Sequence, residues 1–114
     1  MKQFELWLAD LNPTFGTEPG KIRPVLIIQN NTIIDGGHNS TLICPLTSKI
    51  RENTRVLRIR IDASVTDVLK DSDIMIDQIR SIDNRRLVRK IGYLDDATIS
   101  RVKQSLLYVL DLMD

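Results

Sequence analysis

The sequence predicts a mainly β protein: a small β-barrel or strongly curled sheet with one α-helix packed across an opening. Three observations predict it. Five or six short apolar segments are separated by Gly, Pro, Asn and Asp turn signals; one of these segments alternates with period two; and the one clear run of apolar residues at spacings of three and four lies at the C-terminus. No repeat, linker or low-complexity stretch interrupts the 114 residues, so a single domain over 1–114 is expected.

The elements follow in order. Phe4 to Leu11 mixes aromatic and branched residues and ends at the turn signal Asn12-Pro13, which makes it the first strand. A Gly- and Pro-rich loop leads to Arg23. Pro24 fixes its own φ and biases Arg23 toward extended backbone, and Val25 to Ile28 reads as a strand buried on both faces, continuing to Gln29. Asn30-Asn31 opens a connection whose flexible tip is Asp35 to Ser40, and Thr41 to Thr47 forms the third strand of an antiparallel meander. Residues Val56 to Asp62 alternate, placing Arg58 and Arg60 outward and Leu57, Ile59 and Ile61 inward. Ile74 to Ile82 reads as one bent strand, Asp83 to Leu87 as a turn or single helical turn, and Lys90 to Leu94 as a short last strand. In the tail, Asp95 and Asp96 supply an N-cap and favourable negative charge, and Ile99, Val102, Leu106, Val109, Leu110 and Met113 form the helical stripe.

Composition narrows the function classes. A hydrophobic fraction of 42% with 27% charged residues is that of a globular domain rather than a disordered tail. The chain carries no stretch long enough to span a bilayer and no signal-like N-terminus, so a cytoplasmic protein that contacts no membrane is expected. The net charge of +1 gives by itself no reason to propose nucleic acid, but its distribution does. Lys49, Arg51, Arg55, Arg58 and Arg60 form one basic segment and Arg80, Arg85, Arg86, Arg89 and Lys90 another, with Asp62, Asp67, Asp71, Asp73 and Asp77 between them. Such separation fits either a local nucleic-acid surface or a salt-bridged exterior.

Most catalytic patterns are missing. One His and one Cys make a zinc site unfavourable, a carboxylate-only magnesium site stays open with no pattern to support it, and the glycines match neither nucleotide fingerprint, so no metal and no cofactor is expected. Cys44 reads as a buried thiol and His38 as an exposed spectator in a glycine-flanked tip. What remains is Arg23 and the pair Thr47-Ser48, which an antiparallel sheet can bring together. They fit a functional pair, and equally a surface cation beside an ordinary β-former.

Several stretches then carry a resemblance. Trp7 to Pro13, Gly16-Thr17-Glu18 with Gly20 and Lys21, Arg23 to Asn30, Pro45 to Lys49, Asp77 to Asp83 and the leucine-rich last helix together resemble the MazF/PemK family of toxin endoribonucleases, in register over nearly the whole chain. The resemblance implies an SH3-like, PemK-type barrel forming a two-fold homodimer, cleavage of single-stranded RNA at a short sequence, and neutralisation by a cognate antitoxin protein. By position, it implies Arg23 and Thr47 as the catalytic pair. Thr17, Glu18 and Lys21 fall in the segment that covers substrate, Ser48 and Lys49 follow the catalytic threonine, and Gln78 and Ser81 lie where the family contacts bases; Arg58, Arg60 and Arg80 are expected to hold the RNA backbone. Pro19 and Phe4 depart from the family pattern, the latter standing where a glycine is common. The chemistry implied is attack by the substrate's own 2′-hydroxyl, leaving a 2′,3′-cyclic phosphate and a 5′-hydroxyl. A gyrase poison of the CcdB type, which shares the barrel without nuclease activity, is the alternative, and an RNA-binding barrel without turnover is a second.

Overall fold

The computed structural model describes residues 1–13, 16–17, 21–65 and 70–113, with residues 55 and 65 described by their backbone alone. Seven strands and two α-helices follow one another among the described residues as β1 (Glu5–Asp10), β2 (Ile22–Ile27), α1 (Asn31–Asp35), β3 (Ser40–Thr47), β4 (Arg58–Ile61), β5 (Ser72–Met75), β6 (Arg80–Asp83), β7 (Leu87–Tyr93) and α2 (Asp96–Val109). Each of these strand pairings is antiparallel, in the order β4-β5-β3-β2-β1-β7 with β6 also on β3. The expected meander is thus β1-β2-β3. The end strands β4 and β7 do not hydrogen-bond to each other, so the sheet is curled rather than closed.

The core has two parts because β2 is buried on both faces. Leu26 joins Leu6, Cys44, Leu46, Ile59, Ile61 and Ile74 in one cluster, which α2 covers with Ile99 and Val102. On the other side Val25 and Ile27 pack with Ala9, Leu11, Ile43 and Ile82. Burial on both sides is what the unbroken apolar run of β2 requires.

Four elements differ from the sequence-based expectation. The stretch from Ile74 to Ile82 is two strands, not one. β3 pairs Ile43 with Arg80 but Leu46 with Ile74, so three steps on β3 match six on its partner, and the surplus is taken up by the 3₁₀ turn Ile76–Gln78. Val56 and Leu57 lie in a 3₁₀ turn, which leaves Leu57 exposed instead of inward, while Ile59 and Ile61 are buried as the alternation requires. A short helix, α1, occupies part of the connection after β2; Asn30 caps it by accepting from the Thr32 amide at 2.8 Å. The stripe of α2 ends early. Asp95 caps the helix through the Thr98 amide at 2.7 Å, and Ile99 and Val102 are buried, but Leu110 and Met113 remain 47% and 49% exposed.

Phe4 explains its own departure from the family pattern. Its φ is +67°, a region glycine enters freely, yet its ring is buried against the main cluster under the Lys103 ammonium. Backbone strain is accepted there in exchange for a filled core.

Candidate active site

Arg23 is set by the β2–β3 ladder. Val25 pairs with Pro45, Leu26 with Cys44 and Ile27 with Ile43. The same register, carried two residues toward the strand end, puts Arg23 opposite Thr47, and residues directly opposite in an antiparallel pair share a face. Arg23 Nη1 donates to the Leu46 carbonyl at 3.2 Å, which fixes the guanidinium beside β3.

The row continues across the sheet. Thr47 pairs with Asp73 on β5, and Asp73 pairs with Arg60 on β4. Arg23, Thr47, Asp73 and Arg60 therefore lie in register across four strands on the face opposite Leu46, Ile74 and Ile59, which belong to the main core.

A cleft of about 400 Å³ opens over the first half of this row. Arg23, Pro24, Leu46, Thr47, Ser48 and the buried Ser72 line it, with the exposed Lys21, Lys49 and Lys70 at its edge. Four of the described lining residues are cations and none is an acid. Burial pulls the Arg23 guanidinium down from its ordinary value, and an arginine remains protonated near neutrality. The Thr47 hydroxyl oxygen accepts the Lys49 amide at 3.1 Å, which leaves its O–H to donate into the cleft. Lys21 holds φ at +64°, pinned where its amide donates to Asn12 Oδ1 at 2.8 Å and its carbonyl accepts from the Leu11 amide at 2.9 Å. Strain of this kind is stored where placement matters.

The structure gathers Lys21, Arg23, Thr47, Ser48 and Lys49 at one place and distributes the other expected residues elsewhere. Gln78, Arg80 and Ser81 accompany the far half of β3, with Arg80 opposite Ile43 and Ser81 opposite Leu42. Four residues of strand separate Ile43 from Thr47, about 13 Å. Arg58 and Arg60 leave the core face as expected, but both engage Asp73: Arg60 Nε donates to Oδ1 at 2.6 Å, and Arg58 Nη1 lies 3.7 Å from Oδ2. Burial pushes the Asp73 carboxyl up, and the Arg60 hydrogen bond, the Arg51 amide and the charges of both arginines outweigh it, leaving the acid below its ordinary value. Thr17 is exposed, and Glu18 and Pro19 lie outside the described residues. Cys44 is buried and its thiol is pushed up to about 12, by desolvation first and by Asp77 second, so it is unreactive as expected; His38 is exposed.

Lys70 and Ser72 were not legible as site residues. They fall within a segment that reads as acidic, and the pairing of β5 with β3 brings that segment to the cleft lining.

The family model for the PemK-like, MazF-like toxin of type II toxin-antitoxin systems matches residues 2–110. The chain belongs to this family. It is 36% identical to the endoribonuclease EndoA of Bacillus subtilis over 114 residues, covering all of this chain and 97% of that protein. The fold is similar to that of MazF from Deinococcus radiodurans, with a TM-score of 0.81 and 21% identity over 97% of this chain and 96% of the other. It is also similar to a mycobacterial endoribonuclease solved in complex with its cognate antitoxin, with a TM-score of 0.79 and 20% identity over the whole chain and 98% of the other. The SH3-like, PemK-type architecture is thus the family's, with its sheet left open between β4 and β7.

Proposed function

We propose that this MazF-type toxin endoribonuclease cuts single-stranded RNA in the Arg23–Thr47 cleft by attack of the substrate's 2′-hydroxyl on its own phosphodiester. The observation that carries the reading is the cleft itself: a fixed guanidinium facing a hydroxyl donor, ringed by three lysines, with no carboxylate among the described lining residues. Arg23 offers two parallel N–H groups to the non-bridging oxygens, where negative charge grows as phosphorus becomes five-coordinate. Thr47 donates to the 2′-oxygen or to a phosphate oxygen and orients the attack. It is too weak a base to take the proton, which is lost to water as the P–O2′ bond forms; the P–O5′ bond breaks, and the departing 5′-oxygen takes up a proton from water to become the 5′-hydroxyl. The nucleophile is part of the substrate and the charge is met by Arg23, so this scheme calls for neither metal nor cofactor.

Incubation with a defined RNA tests it. The upstream fragments are expected to end in a 2′,3′-cyclic phosphate and the downstream ones in a 5′-hydroxyl that a polynucleotide kinase labels without prior phosphatase, with yields unchanged by a chelator. Fragments carrying 5′-phosphates would sink the mechanism, and RNA binding or gyrase inhibition without any fragments would sink the assignment.

The phosphates on either side of the cut are assigned to Lys21, Lys49 and Lys70. Arg80, about 13 Å along β3, meets the strand farther on, where Gln78 and Ser81 contact bases. Replacing Lys49 and Lys70 by Gln is expected to reduce the slope of log affinity against log salt by about 0.7 for each phosphate left without its cation, measured on a non-cleavable strand. An unaltered slope would remove the lysines from the interface.

The same basic groove is the place for an acidic, extended antitoxin segment, in keeping with a relative solved with its antitoxin. We read the chain as one toxin domain over 1–114, acting in the cytoplasm as a homodimer.

A further inference from the structure

The described cleft lining contains no acid, yet a buried one stands beside it, opposite Thr47 on the neighbouring strand. Asp73 is 1% exposed, an expensive place for a carboxylate unless each oxygen is matched. Each is. Oδ1 accepts from Arg60 Nε at 2.6 Å and Oδ2 from the Arg51 backbone amide at 3.1 Å, while Arg58, also paired to Oδ2, turns its Nη1 to the Lys49 carbonyl at 3.2 Å. Asp73 therefore holds the segment after β3 directly at Arg51 and, through Arg58, at Lys49, while sitting opposite Thr47 in the ladder. That segment carries Thr47, Ser48 and Lys49, one wall of the cleft.

We propose that Asp73 is a positioning residue for cleavage: with Arg58 it anchors the Thr47–Arg51 segment, so that the Thr47 hydroxyl and the Lys49 ammonium are held at fixed positions against Arg23. The inference rests on the cleft being the RNA site. It also gives Arg58 and Arg60 a role other than backbone binding. Both are paired to the same carboxylate, Arg58 largely buried and Arg60 at the surface where it also meets Glu52, and their contribution passes through the loop.

Asp73→Asn is the discriminating variant. A carboxylate has an oxygen for Arg60 and another for Arg51, whereas a carboxamide has one oxygen and must release one of them. Under single-turnover conditions the maximal rate is expected to fall about 10-fold, the order that follows from loosening one aligned group, with the half-saturating concentration within about two-fold. Amide exchange at Lys49 and Arg51 is expected to quicken, while Leu26 and Ile43 in the core stay protected. Arg58→Met, which keeps the Asp73–Arg60 pair but drops the Lys49 bond, is expected to lower the maximal rate in the same manner. The double variant should be no slower than the slower single one, because both act through one loop.

Full maximal rate in Asp73→Asn, losses that multiply in the double variant, or a loss that accompanies deprotection of the core would each overturn the proposal. If Asp73→Asn does not fold, Arg58→Met alone decides, by its rate and by exchange at Lys49. If Arg23→Ala cleaves normally, the cleft assignment has failed; if Arg23→Ala is inactive while the Asp73 and Arg58 variants are unimpaired, only the positioning role has.

Discussion

A substrate with a single 2′-deoxy sugar on the 5′ side of the scissile phosphate is expected to bind and remain uncut. The proposed reaction has no other nucleophile. In that proposal Arg23 stabilises charge, Thr47 donates, and the lysines around the cleft hold flanking phosphates, so deleting one oxygen from the RNA would remove the attacking group and leave the other proposed protein contacts in place. The measurement is a pair of assays on one oligonucleotide, binding by fluorescence anisotropy and cleavage by gel. Cleavage at the deoxy position at the all-RNA rate would require a nucleophile other than the 2′-hydroxyl and would overturn the mechanism.

Arg23→Ala carries the second largest effect, and here the loss falls on the protein. Removing one preorganised donor to a developing oxyanion costs about 10²–10³ in rate, and Arg23 offers a fork of two. Stability should change little. Among the described residues, the variant gives up the hydrogen bond to the Leu46 carbonyl, worth about 1 kcal/mol net, and leaves a carbonyl at the edge of an open cleft, where water replaces the donor. Arg23→Lys keeps the charge but not the planar fork, and its ammonium is a compact point charge, so it should recover only a small part of the loss. Single-turnover rates with saturating protein and a thermal melt separate catalysis from folding. A rate within three-fold of the native one for Arg23→Ala, with about 10² expected, would remove Arg23 from the chemistry.

The element pattern was legible wherever one residue's neighbours in sequence are also its constraints. Pro24 biased Arg23 to extended backbone, Val25 to Ile27 formed a strand buried on both sides, Ile59 and Ile61 alternated inward, and Asp95 capped α2. The exceptions depend on partners far along the chain. Ile74 to Ile82 had the apolar content of one strand, and nothing local shows that β3 pairs with its two ends in registers three residues apart. Leu110 and Met113 continue the helical spacing beyond Val109, but the core surface that α2 covers ends before them.

The site divides in the same way. Arg23 and Thr47 stood out by their place at strand ends and by family resemblance, and the β2–β3 ladder then brought them to one cleft. Arg58 and Arg60 read as a basic stripe because charge in a sequence has a position but no partner; folding placed Asp73 between them, in a strand whose acids read as a separate block. Lys70 and Ser72 reached the cleft lining by the same β3–β5 pairing.

By itself the amino-acid sequence determined most of the strands, the capped helix, the family and the two residues on which the chemistry is proposed to turn, because each depends on local periodicity, φ restriction or residue type. Only the tertiary structure decided which charges face the cleft and which are spent on Asp73. Coulomb attraction between side chains is settled by ångströms across neighbouring strands, and those distances do not exist until the registers of β3, β4 and β5 are fixed.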